Sequence, residues 1–104
     1  MAQLVAGDTM SDAAMSDAAL PPSQTPLYHH ALAQLELWLA GLGAHQRGSH
    51  SSLWDLHQPQ WSALLELEVE ELKVSWLQDG QQSVRHFPYG LSRADAEAAI
   101  LAGP

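Results

Sequence analysis

Between residues 25 and 43 the apolar positions Tyr28, Leu32, Leu35, Leu39 and Leu42 recur three or four apart, and Trp38 widens the stripe. That spacing puts them on one face of an α-helix, with Gln34 and Glu36 the main polar groups of the other face. Thr25 offers an N-cap oxygen, Pro26 suits the first helical position, where a missing N–H costs nothing, and Gly43 suits a left-handed residue after the last turn. After the loop AHQRGSHSS the period drops to two. Residues 53–57 alternate and stop before Pro59, and residues 61–67 set Trp61, Ala63, Leu65 and Leu67 on one side. An acidic turn over residues 68–71 leads to residues 72–77, whose inward set is Leu72, Val74 and Trp76. Asp79-Gly80 marks a reversal into residues 83–89. The pattern predicts a four-stranded antiparallel meander.

The last stretch, GLSRADAEAAILAGP, carries its own helix signals. Ser92 is an N-cap with Asp95 three residues on, and Leu91 is placed to staple against Ala96. Ile100 and Leu101 are its only large apolar side chains, and a helix this short needs a surface to pack on. Helix, four strands, helix predicts an α+β domain with both helices on one sheet face.

Length and composition sharpen this. Residues 1–24 are rich in Ala, Ser and Asp, repeat MSDAA twice and end in Pro21-Pro22, which reads as a disordered tail with Met10 and Met15 as alternative starts. Residues 25–104 then form one domain, with 46% hydrophobic residues and four tryptophans in the chain to build its core. The net charge of −8 disfavours nucleic acid, whose phosphates need a basic surface, and disfavours an anionic bilayer for the bulk of the chain. No run reaches the ~18 apolar residues of a membrane span. The first twenty residues contain no Lys or Arg for an export signal. Together with the absence of cysteine, this points to a cytoplasmic protein without disulfides.

Six histidines raise the question of a metal. His29 and His30 are adjacent and diverge by about 100° on a helix, whereas two ligands on one helix want a spacing of three or four. His45 and His50 fall in the loop. Asp55 and His57 share one face of the first strand, and with His86 they form the set on which a small metal-dependent or acid/base enzyme would be built. There is no nucleophile elbow and no Gly-rich phosphate loop, so neither catalysis nor a cofactor is expected. Trp54 alternates with Asp55 and His57, and any aromatic exposed beside Phe87 and Tyr89 makes a protein-binding surface. A homodimer that hides these aromatics in its own interface is the structural alternative.

The stretches TPLYHHALAQLELWLAGLG and YGLSRADAEAAILAGP resemble the two ends of a cyanobacterial and plastid family, domain-of-unknown-function family 3143. The matching positions are Thr25, Pro26, Leu27, Tyr28, His30, Trp38-Leu39, Leu42-Gly43, Trp61, Glu71-Leu72, Leu91-Ser92-Arg93 and Gly103-Pro104. Ala44 stands where the family often has Cys, so a role resting on that Cys does not carry over, and Ala96 replaces the usual aliphatic residue. Plant members look like thylakoid-associated proteins that help assemble photosystem I with a tetratricopeptide-repeat factor on the stromal side. The resemblance implies a non-catalytic interaction module, binding a photosynthetic assembly factor or photosystem subunit at the cytoplasmic face of the thylakoid. Its expected contacts are Tyr28, His30, Trp54, Tyr89 and Arg93, the last pairing with a carboxylate of the domain or of the partner.

Overall fold

A computed structural model describes residues 20–104, so the MSDAA repeat and all three methionines lie outside the described residues. A 3₁₀ turn at Leu27–His29 precedes helix α1 (Leu32–Gly41). Strands β1 (His45–Gln46), β2 (Leu53–His57), β3 (Ser62–Leu67), β4 (Glu71–Gln78) and β5 (Gln81–Pro88) follow, and helix α2 (Arg93–Ala102) closes the chain. The five strands form one antiparallel sheet in sequence order, which makes the domain α+β.

Four strands were expected, and the fifth is β1 within the supposed loop. Its two residues pair as His45↔Asp55 and Gln46↔Trp54. So short a strand has no period to read, and what supports it is its neighbour: the Arg47 guanidinium donates to the Asp55 carboxylate from Nε at 2.7 Å and Nη2 at 3.0 Å.

Alternation sorts the sheet into two faces. Trp54, Leu56, Ala63, Leu65, Leu72, Val74, Trp76 and Phe87 are buried in one cluster that also contains Leu35, Trp38 and Leu39 of α1 and Ala96 and Ile100 of α2. Two buried indoles satisfy their N–H groups across this cluster. Trp38 Nε1 donates to Glu97 Oε1 at 2.9 Å, tying α1 to α2, and Trp76 Nε1 donates to the Ile100 carbonyl at 3.3 Å. On the other face a row of cross-strand partners runs Asp55, Leu64, Ser75, Val84. The β4–β5 reversal places Asp79 and Gly80 at φ +53° and +79°, the left-handed pair that a two-residue hairpin turn of matching twist requires.

Helix α1 begins later than its apolar spacing predicts. Pro26 is extended at ψ 149° and bridges to Ser92, and the N–H groups of Leu27 and Tyr28 donate to the Leu91 and Tyr89 carbonyls at 2.8 and 2.9 Å. Hydrogen bonds to the β5–α2 connection therefore claim the donors of the expected first turn. Regular helix starts after Ala31, whose N–H donates to Gln34 Oε1. Leu35, Trp38 and Leu39 keep their buried places, while Tyr28 and Leu32 fall outside the stripe and are exposed.

Helix α2 matches its capping signals, with Asp95 N–H donating to Ser92 Oγ at 3.1 Å. Arg93 behaves differently from expectation. Among the described residues it meets no carboxylate; its Nη2 donates to the Pro21 carbonyl at 2.9 Å and its N–H to the Thr25 carbonyl at 3.0 Å. Ala94 N–H reaches Ser23 in the same way. Residues 20–24, assigned above to the tail, are thus fastened to the start of α2, and Leu20 packs against the core.

Candidate functional site

The displaced start of α1 builds a groove. The 3₁₀ turn is held against Tyr89 by the Tyr28–Tyr89 backbone hydrogen bond, and the β3–β4 turn closes the other side. Between them lies a hollow of about 320 Å³ lined by Leu27, Tyr28, His30, Leu32, Leu35, Leu67, Glu68, Val69 and Tyr89. This volume sits at the small end of the range of ~300–1,000 Å³ typical of ligand pockets. Its rim is unusually apolar for a surface: Tyr28 is 58% exposed, Leu32 62% and Val69 94%. Acidic groups flank it, since Val69 stands between Glu68 and Glu70 with Glu71 next in the chain.

His30 stands in the groove wall at 7% exposure. Its Nδ1 lies 3.0 Å from the Pro26 carbonyl, which can only accept, so Nδ1 carries the proton. In the neutral ring Nε2 is then an acceptor. That atom is buried and has no hydrogen-bond partner among the described residues. Tyr89, across the groove, donates its hydroxyl to the Glu68 carbonyl and thereby fastens the acidic turn to the end of β5.

Burial, with Glu68 and Glu71 nearby, pushes the Tyr89 hydroxyl above its ordinary value of 10.0. A raised pKa means that the folded state holds this proton after the unfolded chain has released it. Tyr89 therefore contributes stability that is present below pH ~10 and is lost as pH rises through the folded value. Tyr89→Phe should flatten the alkaline fall in stability above pH ~10, as measured by urea unfolding at a series of pH values; an unchanged slope would place the cause elsewhere.

The remaining expected site residues disperse. Trp54 is buried, because alternation with Asp55 and His57 sends its ring to the same side as Leu56, and it is not available as a contact. Arg93 is occupied in fastening residues 20–24. Tyr28, His30 and Tyr89 do come together in the groove. The residues that sequence reasoning missed are Leu32 and Val69, the first taken for helix core and the second hidden in a run of glutamates. A valine at the tip of an acidic turn was the available signal.

Asp55, His57 and His86 do not converge. His57 aligns across the sheet with Ser62, Leu77 and Gln82, four residues along β5 from His86. Three strand spacings and four residues of rise separate the backbone positions of the two histidines by about 14 Å across and about 13 Å along the sheet. The Asp55 carboxylate is held below its ordinary range by hydrogen bonding to Arg47, against the opposing effect of burial. His86 instead pairs with Glu71, its diagonal neighbour across β4–β5, at 2.5 Å. With Glu68 these two residues bring three ligand atoms within 4.8 Å of one another, the two glutamates half-buried and His86 exposed. On the open face of the sheet a larger hollow of about 480 Å³ includes Arg47, Asp55, His57, Leu64 and Lys73.

Comparison with known proteins bears on the sheet and α2. Residues 42–103, more than half of the chain, match the model of a family described as "Protein of unknown function (DUF3143)". The chain belongs to this family. The match spans the strands, α2 and the groove residues Leu67, Glu68, Val69 and Tyr89, and it leaves out the 3₁₀ turn and all of α1. No curated protein and no solved structure matches the chain. Among the described residues no helix is long and apolar enough to cross a membrane.

Proposed function

We propose that this member of the family is a non-catalytic interaction module that takes a protein partner at the groove between the 3₁₀ turn and the β3–β4 turn. The observation that carries the reading is the grouping of Tyr28, Leu32 and Val69 as exposed apolar side chains around one concave surface. Isolated exposed apolar residues need no explanation, but a rim of three around a hollow is what partner sites present. The separation of Asp55 and His57 from His86 takes away the support for the enzyme alternative built on them.

The biological setting rests on the family resemblance. The module acts as an accessory factor in photosystem I biogenesis, at the cytoplasmic face of the thylakoid. Deleting the gene in its host should reduce photosystem I relative to photosystem II, measured as photo-oxidisable reaction centre per chlorophyll. Normal accumulation in the deletion strain would refute the assembly role.

A further inference from the structure

The sheet ends on β5, and the outer side of that strand is unpaired among the described residues. Residues 81–86 are all exposed, so no other described element covers this edge. The pairing of β5 with β4 is continuous and carries no bulge. A long edge without a bulge is a template for another strand.

The hairpin decides which backbone groups this edge offers. The two-residue turn at Asp79-Gly80 makes Gln78↔Gln81 the first pair to exchange hydrogen bonds, and such pairs then alternate along the ladder. Gln81, Ser83, Arg85 and Phe87 therefore bond to β4, whereas Gln82, Val84 and His86 direct their N–H and C=O groups outward. Pro88 takes the next outward place, where its missing N–H costs the ladder nothing, and its carbonyl accepts from the Leu91 N–H at 3.1 Å. The free edge is thus bounded, and Val84 is its middle residue. Val84 is also the one large apolar side chain exposed on β5, at 43%.

From this geometry we propose that β5 pairs antiparallel with β5 of a second copy of the chain, about a two-fold axis at Val84, so that one sheet runs through both copies. In this register Val84 meets Val84 and Gln82 meets His86, and the outward groups form about six hydrogen bonds between the copies. On the core side Ser83 faces Arg85 of the second copy. The Arg85 guanidinium lies over its own Phe87 ring, 4.8 Å from the centroid, and so leans away from the axis. Other registers fit less well. Moving the axis one residue towards Phe87 opposes Arg85 to Arg85, and moving it two opposes His86 to His86 and sets Pro88, without an N–H, against Val84. Moving it towards Gln81 shortens the overlap and leaves Val84 facing Gln82 or Gly80. None of the chain's twelve acidic residues lies on β5, so two copies of net charge −8 meet where acidic charge is thinnest. The surface uses no residue of the groove.

Analytical ultracentrifugation of the full chain over a range of concentrations, with amide hydrogen exchange followed by NMR at both ends of that range, tests the proposal. A reversible monomer–dimer equilibrium is expected. The amides of Gln82, Val84 and His86 should gain protection as the dimer forms, while those of Ser83, Arg85 and Phe87 are protected throughout. Val84→Lys sets two cations against each other at the axis and should weaken dimerisation by about tenfold or more. Should that variant fail to fold, the concentration dependence of the wild-type amides still decides. The chain has no cysteine, so Val84→Cys should crosslink to itself under mild oxidation, its Cα atoms lying about 5.5 Å apart across the axis. Gln81→Cys, about 20 Å from its counterpart in this register, should not crosslink. A monomer at every concentration, a dimer indifferent to Val84→Lys, or crosslinking through Gln81→Cys in place of Val84→Cys would each overturn the proposal. Protection of the three outward amides that does not change with concentration would overturn it too, by placing another segment of the same chain on the edge. A dimer lost with Tyr28→Ala and kept with Val84→Lys would move the second copy to the groove.

Discussion

Trp76→Ala is expected to destabilise the domain by about 3–5 kcal/mol, the range for deleting a large buried aromatic. The indole lies at the centre of the cluster shared by sheet and helices, 1% exposed, with its N–H on the Ile100 carbonyl. Its ring meets that of Phe87 edge-on, with centroids 6.4 Å apart and planes at 84°, so the alanine variant forfeits an aromatic pair as well as area. Small domains have total stabilities of only about 5–15 kcal/mol, so the variant should be partly unfolded at physiological temperature. Urea unfolding followed by circular dichroism measures this. A loss below about 1 kcal/mol would mean that Trp76 is not the hub placed here.

Tyr28→Ala should separate binding from stability. The ring is mostly in solvent, its backbone is fixed independently of its side chain by the hydrogen bond to Tyr89, and its one aromatic contact is the edge of His29. Removing it should change stability by less than about 0.5 kcal/mol, as for an ordinary surface position. As a hot spot of at least ~2 kcal/mol it should weaken partner binding by about thirtyfold or more. Leu77→Ala is the control, since Leu77 is comparably exposed at 51% but lies on the open face of the sheet. Equal weakening by both variants would shift the partner site to the sheet. Strong weakening by Leu77→Ala alone would refute the groove.

What the sequence foretold and what it hid divide along the range of the forces involved. Period-two alternation set β2, β3 and β4 and their inward side chains, because one buried face imposes that period directly. Local signals were equally readable: Asp79-Gly80 for the hairpin, and Ser92 with Asp95 for the start of α2. The failures came where a distant partner overrode a local preference. Thr25 and Pro26 spell a helix start, yet the carbonyls of Tyr89 and Leu91 take the donors that would have followed. Strand β1 exists only through β2 and the Arg47–Asp55 pair.

The candidate site shows the same division. Tyr28 and Tyr89 were legible as amphipathic aromatics near surface elements, but their meeting across the groove depends on the override that moved α1. Leu32 was hidden for that reason: at helical spacing it counts as core, and once the helix begins at that residue it faces solvent. Trp54 was misplaced for the opposite reason. A large aromatic with a polar tip invites an interface role, whereas strict alternation with Asp55 already fixed its burial.

The central claim, that the groove is where this module meets its partner, is tested most directly by quantitative co-purification from solubilised host membranes. Tagged wild type, Leu77→Ala and Tyr28→Ala proteins, each checked for native stability, would be compared for recovery of photosystem I subunits and assembly factors. The account predicts recovery with wild type and Leu77→Ala and its loss with Tyr28→Ala. Equal recovery with all three, or none with wild type, would contradict it.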